Sequence, residues 1–284
     1  MPLFQFVDQF LLKRLVAKAN RLTPEEMWHL LLSGNDPTMR RYRNVLRLIP
    51  QSPRCKFCNA PFHGPGAHLM RAFGRSPSSL NPRFCTICLN STPVGGTEIE
   101  LTMLFPDVRG STSLAEEMSA TEFGHLISRY YTAATDVMIR SDALIDKLIG
   151  DQVSGLYFPG FAGHDHARQA VKAALQLLKA TGHADPGGPW IPVGIGVHTD
   201  MAFVGKVGSE GVTDITVLGD AANICARLAS LAGPGEVFIS EQACVAAGLD
   251  PGEMEERQLP LKGRSQPVNI RVMAITPEGA STRL

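Results

Sequence analysis

Residues 143–158 read ALIDKLIGDQVSGLYF. Apolar residues stand on both sides of Gly150 and Asp151, so the stretch reads as a strand, a turn and a strand. Three charges, Asp146, Lys147 and Asp151, sit at or near the tip of what is otherwise a buried hairpin. Charges in such a place are costly unless they are paired or used.

Upstream, TEIELTMLFPDV (97–108) alternates Ile99, Leu101, Met103 and Phe105 on one face, as a strand should, and delivers Asp107 at its end. The loop VRGST follows, and SLAEEM begins a helix with Ser and Thr at its N-cap and acids in its first turn. A carboxylate beside a Gly-containing loop at a helix start suits metal-bound phosphate: the carboxylate holds the cation and free N–H groups hold the oxyanions. Alone, such an aspartate is more often a cap or turn residue; a second one, Asp151, shifts the weight. Downstream, VGIGVHT (193–199), FVGKVG (203–208) and ITVLGDAANICARLASLAG (215–233) supply further strands and a helix.

The chain of 284 residues is 44% hydrophobic with a formal net charge of zero, which fits a globular protein of one to two domains. No apolar run reaches the roughly 18 residues of a membrane span, and the N-terminus lacks the pattern of a cleaved leader, so a cytoplasmic protein is expected. The neutral balance hides an asymmetry. Residues 1–90 hold 13 Lys and Arg against four Asp and Glu, and residues 91–284 hold 14 against 23. A basic N-terminal region can meet nucleic acid or an anionic membrane surface, but a solvated face or an internal contact is the simpler account.

Residues 1–50 read as helices. FQFVDQFLLKRLVAKA (4–19) has apolar residues at helical spacing opposite Lys13, Arg14 and Lys18, which also suits a helix lying on a membrane. Thr23, Pro24 and Glu26 make an N-cap, a first helical position and a capping box; Asp36 and Pro37 repeat the device, and Pro50 stops that helix. Residues 51–94 hold CKFC (Cys55, Cys58) and, after 26 intervening residues, CTIC (Cys85, Cys88). Two CxxC knuckles can present four thiolates to one structural zinc; an iron–sulfur cluster accepts the same ligands. The Gly-, Pro- and Ser-rich segment between them has little to build a core, so a metal staple explains how it folds. His63 and His68 could replace a cysteine, whereas Cys225 and Cys244 read as small core residues.

Residues 97–276 resemble a class III nucleotide cyclase catalytic domain, with 277–284 as a tail. The motifs LFPDVRGSTSL, DKLIGD, GIGVHTDMAFVGKVGS, TVLGDAANICARLA and LPLKGRSQPV stand in the family's order. The resemblance implies a mixed α/β fold with a ferredoxin-like βαββαβ core, working as a head-to-tail homodimer with active sites at the interface. It assigns Asp107, Asp151 and the backbone carbonyl of Val108 to two Mg²⁺ or Mn²⁺ ions. These would activate the ribose 3′-OH and neutralise the triphosphate. Arg227 matches the arginine that stabilises the transition state and Asn223 the asparagine that orients the ribose; at i and i+4 they share one helical face. Lys147 and Thr216 match the residues that read adenine, Lys147 donating to N1, so ATP is the implied substrate. Lys262, with Arg264 as competitor, matches the lysine on the terminal phosphates.

Some positions depart from the family pattern: Pro106 before the first aspartate, Gln152 after the second, and Asp200 with Met201 in a turn where glycine is expected. His198 reads as structural, and His164 and His166 as helix-start residues. Three readings follow: an adenylate cyclase with a regulatory or dimerising N-terminal unit, or a cyclase for GTP or a pyrimidine nucleotide; a silent cyclase-like sensor; and a nucleic-acid-binding zinc module on a cyclase-like partner. The last would use Phe57, Phe62, Phe73, Phe84, Arg54, Arg71, Arg75 and Arg83.

Overall fold

The computed structural model describes residues 22–49, 53–78, 82–209, 212–259, 267–276 and 279–280. Two compact units divide the chain, one of residues 1–99 with 203–217 and the other of residues 100–202 with 218–284. The expected first helix lies outside the described residues, and of the expected tail only residues 279–280 are described.

In the first unit, helix α1 (Pro24–Ser33) starts as its sequence specifies: Thr23 and Glu26 close a reciprocal capping box and Gly34 ends the helix in the left-handed conformation. Helix α2 (Pro37–Arg47) begins at Asp36, whose carboxylate accepts from the backbone N–H groups of Thr38 and Met39. Short helices α3 (Gly64–Ala72) and α4 (Thr86–Ser91) follow. Trp28 is fully buried, donates from its indole to the Pro93 carbonyl at 3.1 Å and meets Phe57 edge-on, while Phe57 packs on Phe84 at 4.5 Å between ring centres.

The second unit holds most of the sheet. The strands of the sheet are β1 (Gly95–Val108), β2 (Leu144–Ile149), β3 (Gln152–Tyr157), β4 (Val193–Ser209), β6 (Glu236–Ser240), β7 (Glu255–Leu259) and β8 (Val268–Thr276). The order is β2-β3-β1-β4-β6-β8-β7, with β5 (Val212–Leu218) paired to β4 and β9 (Gly279–Ala280) to β8. The β2-β3-β1-β4 portion is the expected ferredoxin-like order, extended on one side. The long helices α6 (Ala120–Arg140) and α8 (His166–Ala180) connect those strands, α5 (Ser111–Glu117) and α7 (Pro159–Ala162) precede them, and α9 (Asp220–Leu231) and α10 (Glu241–Ala247) follow.

Both faces of the sheet are covered. Val237 and Ile239 of β6 pack with Tyr130, Met138, Val171 and Leu178 of α6 and α8, whereas Phe238 between them packs with Ile224 and Leu228 of α9. For this reason β1 is buried without alternation from Leu101 to Phe105, and not on one face only as its sequence suggests. Two further expectations are corrected. Helix α5 takes Gly110 as its N-cap, at φ 67°, with no side-chain cap from Ser or Thr and no acid in its first turn. Asp200 and Met201 do not sit in a turn: one continuous strand, β4, runs through both of the segments expected as separate strands.

The glycines of GIGVHT set the height of α9 above β4. A Cβ on Gly196 would lie 2.5 Å from the Cys225 carbonyl oxygen and from the Ala229 nitrogen, and one on Gly194 would lie 2.3 Å from the Ala232 carbonyl oxygen. Gly196→Ala is therefore expected to destabilise the protein by roughly 1–3 kcal/mol, because backbone on both sides must move. An unchanged thermal midpoint would contradict this packing.

Candidate functional site

Asp107 leaves the end of β1 and Asp151 occupies the two-residue turn between β2 and β3. The antiparallel register pairs Asp107 with Gln152 and Ile149 with Gln152, which brings both aspartates to one end of the sheet. The Val108 N–H donates to the Asp151 carbonyl at 3.3 Å, so the expected backbone ligand is part of the same corner. Tyr131 donates to the Gly150 carbonyl and holds the turn against α6; Tyr130 donates to the carbonyl of Pro106 at 3.0 Å. Burial pushes the Asp107 carboxyl up from its ordinary range, Arg109 opposes that shift, and the neighbouring Asp151 adds to it. Two facing carboxylates on rigid elements are a donor set that suits hard divalent cations.

Asn223 and Arg227 are exposed one turn apart on α9, on the side away from its buried Ile224, Cys225 and Leu228. The Cys225 thiol, 3.5 Å from the carbonyl oxygens of both Met103 and Gly196, packs this helix against β1 and β4. Cys225 and Cys244 are core residues, as their sequence context indicates.

Lys147 has a feature that its sequence does not announce. Ile145 pairs with Gly155 but Leu148 with Val153, so β2 carries one residue more than β3 between these pairs. Asp146 and Lys147 lie in this bulge, with Asp146 buried and Lys147 half-buried. Bulges commonly re-aim a side chain beside a functional site. Thr216 is buried on β5. Lys262 and Arg264 lie outside the described residues.

The histidines are structural in their surroundings. His198 is buried with Nε2 3.6 Å from the Asp200 carboxylate. His166 opens α8 and shares a hydrogen bond with the Thr102 hydroxyl at 3.0 Å, which in turn meets Thr199 at 2.8 Å. Burial pushes the His166 pKa down.

In the first unit the four cysteines converge: the sulfurs of Cys55, Cys58, Cys85 and Cys88 all lie within 4.8 Å of one another. Among the described residues they are the one group of three or more potential ligand side chains. His63 and His68 are exposed and outside it. Cys58 and Cys85 are 3.8 Å apart, which matches the edge of a tetrahedron with metal–sulfur bonds of about 2.3 Å. A multi-iron cluster holds its cysteines further apart. Hydrogen bonding from the other three cysteines pushes the Cys85 thiol far below its ordinary range, while the same contacts push Cys58 and Cys88 up. Four thiolates this close do not ionise together without a cation among them.

Two arginines complete these sites and were not singled out for these roles from the sequence. Arg109 pairs with Asp107 at 2.6 Å. Arg75, buried, points Nη1 at the sulfurs of Cys58 (3.6 Å) and Cys85 (3.9 Å) and stacks on Tyr42. Arg109 stands two residues after a candidate ligand, a signal that was available; Arg75 lies between the knuckles with no local mark. Of the residues suited to a nucleic-acid surface, Phe57, Phe62, Phe84 and Arg75 are buried, which leaves little of the alternation that such a surface would need.

Residues 97–270 match the model of the adenylate and guanylate cyclase catalytic domain. An adenylate cyclase of Anabaena cylindrica is 28% identical over 179 residues, 60% of this chain and 36% of that protein. The terminal-differentiation-specific adenylate cyclase of Dictyostelium discoideum is 29% identical over 178 residues, 60% of this chain and 8% of that protein. The chain thus spans well under half the length of these relatives. Among solved structures, the guanylyl cyclase Cya2 superposes with a TM-score of 0.58 at 29% identity, covering 64% of this chain and 94% of that one. The adenylyl cyclase CyaB of P. aeruginosa gives 0.55 at 26%, covering 62% and 94%. A matched span of more than half the chain, carried on the sheet order and the aspartate corner described above, means that this protein belongs to the adenylate and guanylate cyclase catalytic domain family.

Proposed function

We propose that the protein is an adenylate cyclase that converts ATP to 3′,5′-cyclic AMP and pyrophosphate for intracellular signalling, as a head-to-tail homodimer in the cytoplasm. No helix among the described residues is long and apolar enough to cross a membrane. The observation that carries the choice of ATP is Lys147, half-buried in the β2 bulge next to the turn that bears Asp151. Its ammonium donates to adenine N1, whereas the N1–H of guanine needs an acceptor. Thr216 accepts from the exocyclic amine of adenine. The base assignment rests on these side chains, because adenylyl and guanylyl cyclases are alike among the matched structures.

Asp107, Asp151 and the Val108 carbonyl hold two Mg²⁺ or Mn²⁺ ions, which lower the pKa of the ribose 3′-OH and neutralise charge on the triphosphate. Arg227 meets the negative charge that builds at the α-phosphorus, Asn223 orients the ribose and Lys262 binds the terminal phosphates. In the homodimer one protomer supplies the aspartates of a site and its partner supplies α9, which fits the exposure of Asn223 and Arg227 in the single chain. Cys55, Cys58, Cys85 and Cys88 hold one structural zinc, and Arg75 offsets part of the surplus charge of four thiolates.

Purified protein incubated separately with ATP, GTP, CTP and UTP, with Mg²⁺ or Mn²⁺, should yield cyclic AMP preferentially by mass spectrometry. Preferential formation of another cyclic nucleotide would overturn the base assignment alone. A chain that cyclises none of the four would overturn the catalytic reading.

A further inference from the structure

Arg109 has a geometry that a simple surface ion pair does not need. Its Nη2 lies 2.6 Å from Oδ1 of Asp107, its Nε lies 3.4 Å from the Asp107 carbonyl oxygen, and its Nη1 donates to the Ser230 carbonyl in the last turn of α9. The backbone N–H of Arg109 is fixed as well, donating to the Pro192 carbonyl at 2.8 Å. The two side chains are 20% and 15% exposed, so the pair is shielded on most sides. One guanidinium therefore joins the strand end that carries a candidate metal ligand to the helix that carries Asn223 and Arg227.

Each end of this bridge has a physical cause. Asp107 faces Asp151, and two carboxylates at one corner repel unless a cation stands with them. The Ser230 carbonyl is among the last four of α9, which have no partner within the helix and carry the negative end of its dipole. A guanidinium has enough N–H groups, in a rigid fork, to serve both at once. A divalent cation that takes Oδ1 of Asp107 has to displace Arg109 from it.

We propose that Arg109 is a displaceable counter-ion and positioning residue of the metal site: it neutralises Asp107 in the metal-free protein, gives up Oδ1 to the incoming cation, and anchors the last turn of α9 through Ser230. The proposal rests on Asp107 and Asp151 being the metal ligands. It makes Arg109 a competitor of the cation it stands in for, so that removing its charge strengthens metal binding while loosening the helix that carries the transition-state residues.

The test is Mn²⁺ binding to the nucleotide-free protein, followed through the electron paramagnetic resonance of free Mn²⁺. Arg109→Gln should bind Mn²⁺ about three- to tenfold more tightly than the wild type, since a partly shielded ion pair no longer has to be broken. Arg109→Lys, which keeps the charge and disturbs the fold less, should stay within about twofold of the wild type. In turnover assays Arg109→Gln should show a lower half-saturating Mn²⁺ concentration together with a several-fold lower kcat, and Arg109→Lys should restore most of the kcat. Unchanged or weaker Mn²⁺ binding by Arg109→Gln would overturn the proposal, while leaving the ligands in place if Asp107→Asn still abolishes binding. Wild-type Mn²⁺ binding that survives Asp107→Asn would remove the metal reading itself, and this proposal with it.

Discussion

Asp107→Ala is expected to lower cyclic nucleotide formation by about a thousandfold or more while leaving the thermal midpoint close to that of the wild type. The two effects separate because of where the carboxylate sits. For catalysis, Asp107 is half of a pair that shares one corner with Asp151, and a lone carboxylate does not hold two divalent cations in a defined arrangement. Loss of several kcal/mol of charge stabilisation at the phosphorus corresponds to three or more powers of ten in rate. For stability, Asp107 closes a strand whose core positions, Leu101, Met103 and Leu104, are untouched by the substitution. What is lost is one partly exposed ion pair to Arg109, worth about 1 kcal/mol or less. What is gained is relief from facing Asp151. Turnover and thermal unfolding of the same preparation decide the matter: retained turnover would refute the metal role of Asp107, and a collapse of the melting transition would mean that its role is in the fold.

The sequence carried the local devices well, because their causes are local. Thr23 with Glu26 and Asp36 with Pro37 start helices within four residues of chain, and Asn223 with Arg227 share a face by helical periodicity alone. The ferredoxin-like order followed from the family motifs rather than from any single strand. Where the reading failed, the cause was tertiary. Gly110 took the cap of α5 because the chain enters that helix in a left-handed conformation that Ser111 would adopt only with strain. The β2 bulge at Asp146 and Lys147 is invisible to a pattern of alternation, since it is defined by the residue count of the partner strand. Arg109 and Arg75 found partners set by the fold: Ser230 is 121 residues from Arg109, and Cys58 is 17 from Arg75. Part of the N-terminal surplus of charge is likewise engaged inside the fold. Arg43 donates to the carbonyls of Lys56 and Phe57, and Arg54 to those of Leu46 and Asn59, so both act inside the cysteine-bearing unit.

The second large effect is expected from removing the metal that the cysteine cluster is proposed to hold. Purified protein should contain about one zinc per chain, and Cys85→Ser should release it and unfold the surrounding segment. Cys85 is the critical position: its sulfur accepts from the Cys88 backbone N–H, it caps helix α4, and its own N–H donates to the sulfur of Cys55 at 3.2 Å. Structural zinc supplies on the order of 10 kcal/mol to folding in small tetrathiolate modules, more than the few apolar side chains here replace. The core above it, Phe57 on Phe84 with Trp28 at its edge, is ordered by the same knuckles, since Phe57 lies inside the first pair and Phe84 immediately precedes the second. Trp28 is therefore the reporter. It is fully buried and one of two tryptophans in the chain, so in a Trp190→Phe background its emission should shift to longer wavelength on chelation or in Cys85→Ser. Iron with visible absorbance in place of zinc would overturn the choice of metal. A metal-free protein whose Trp28 emission matches that of untreated protein would mean that the aromatic core holds this unit together by itself, and that the four cysteines are merely close.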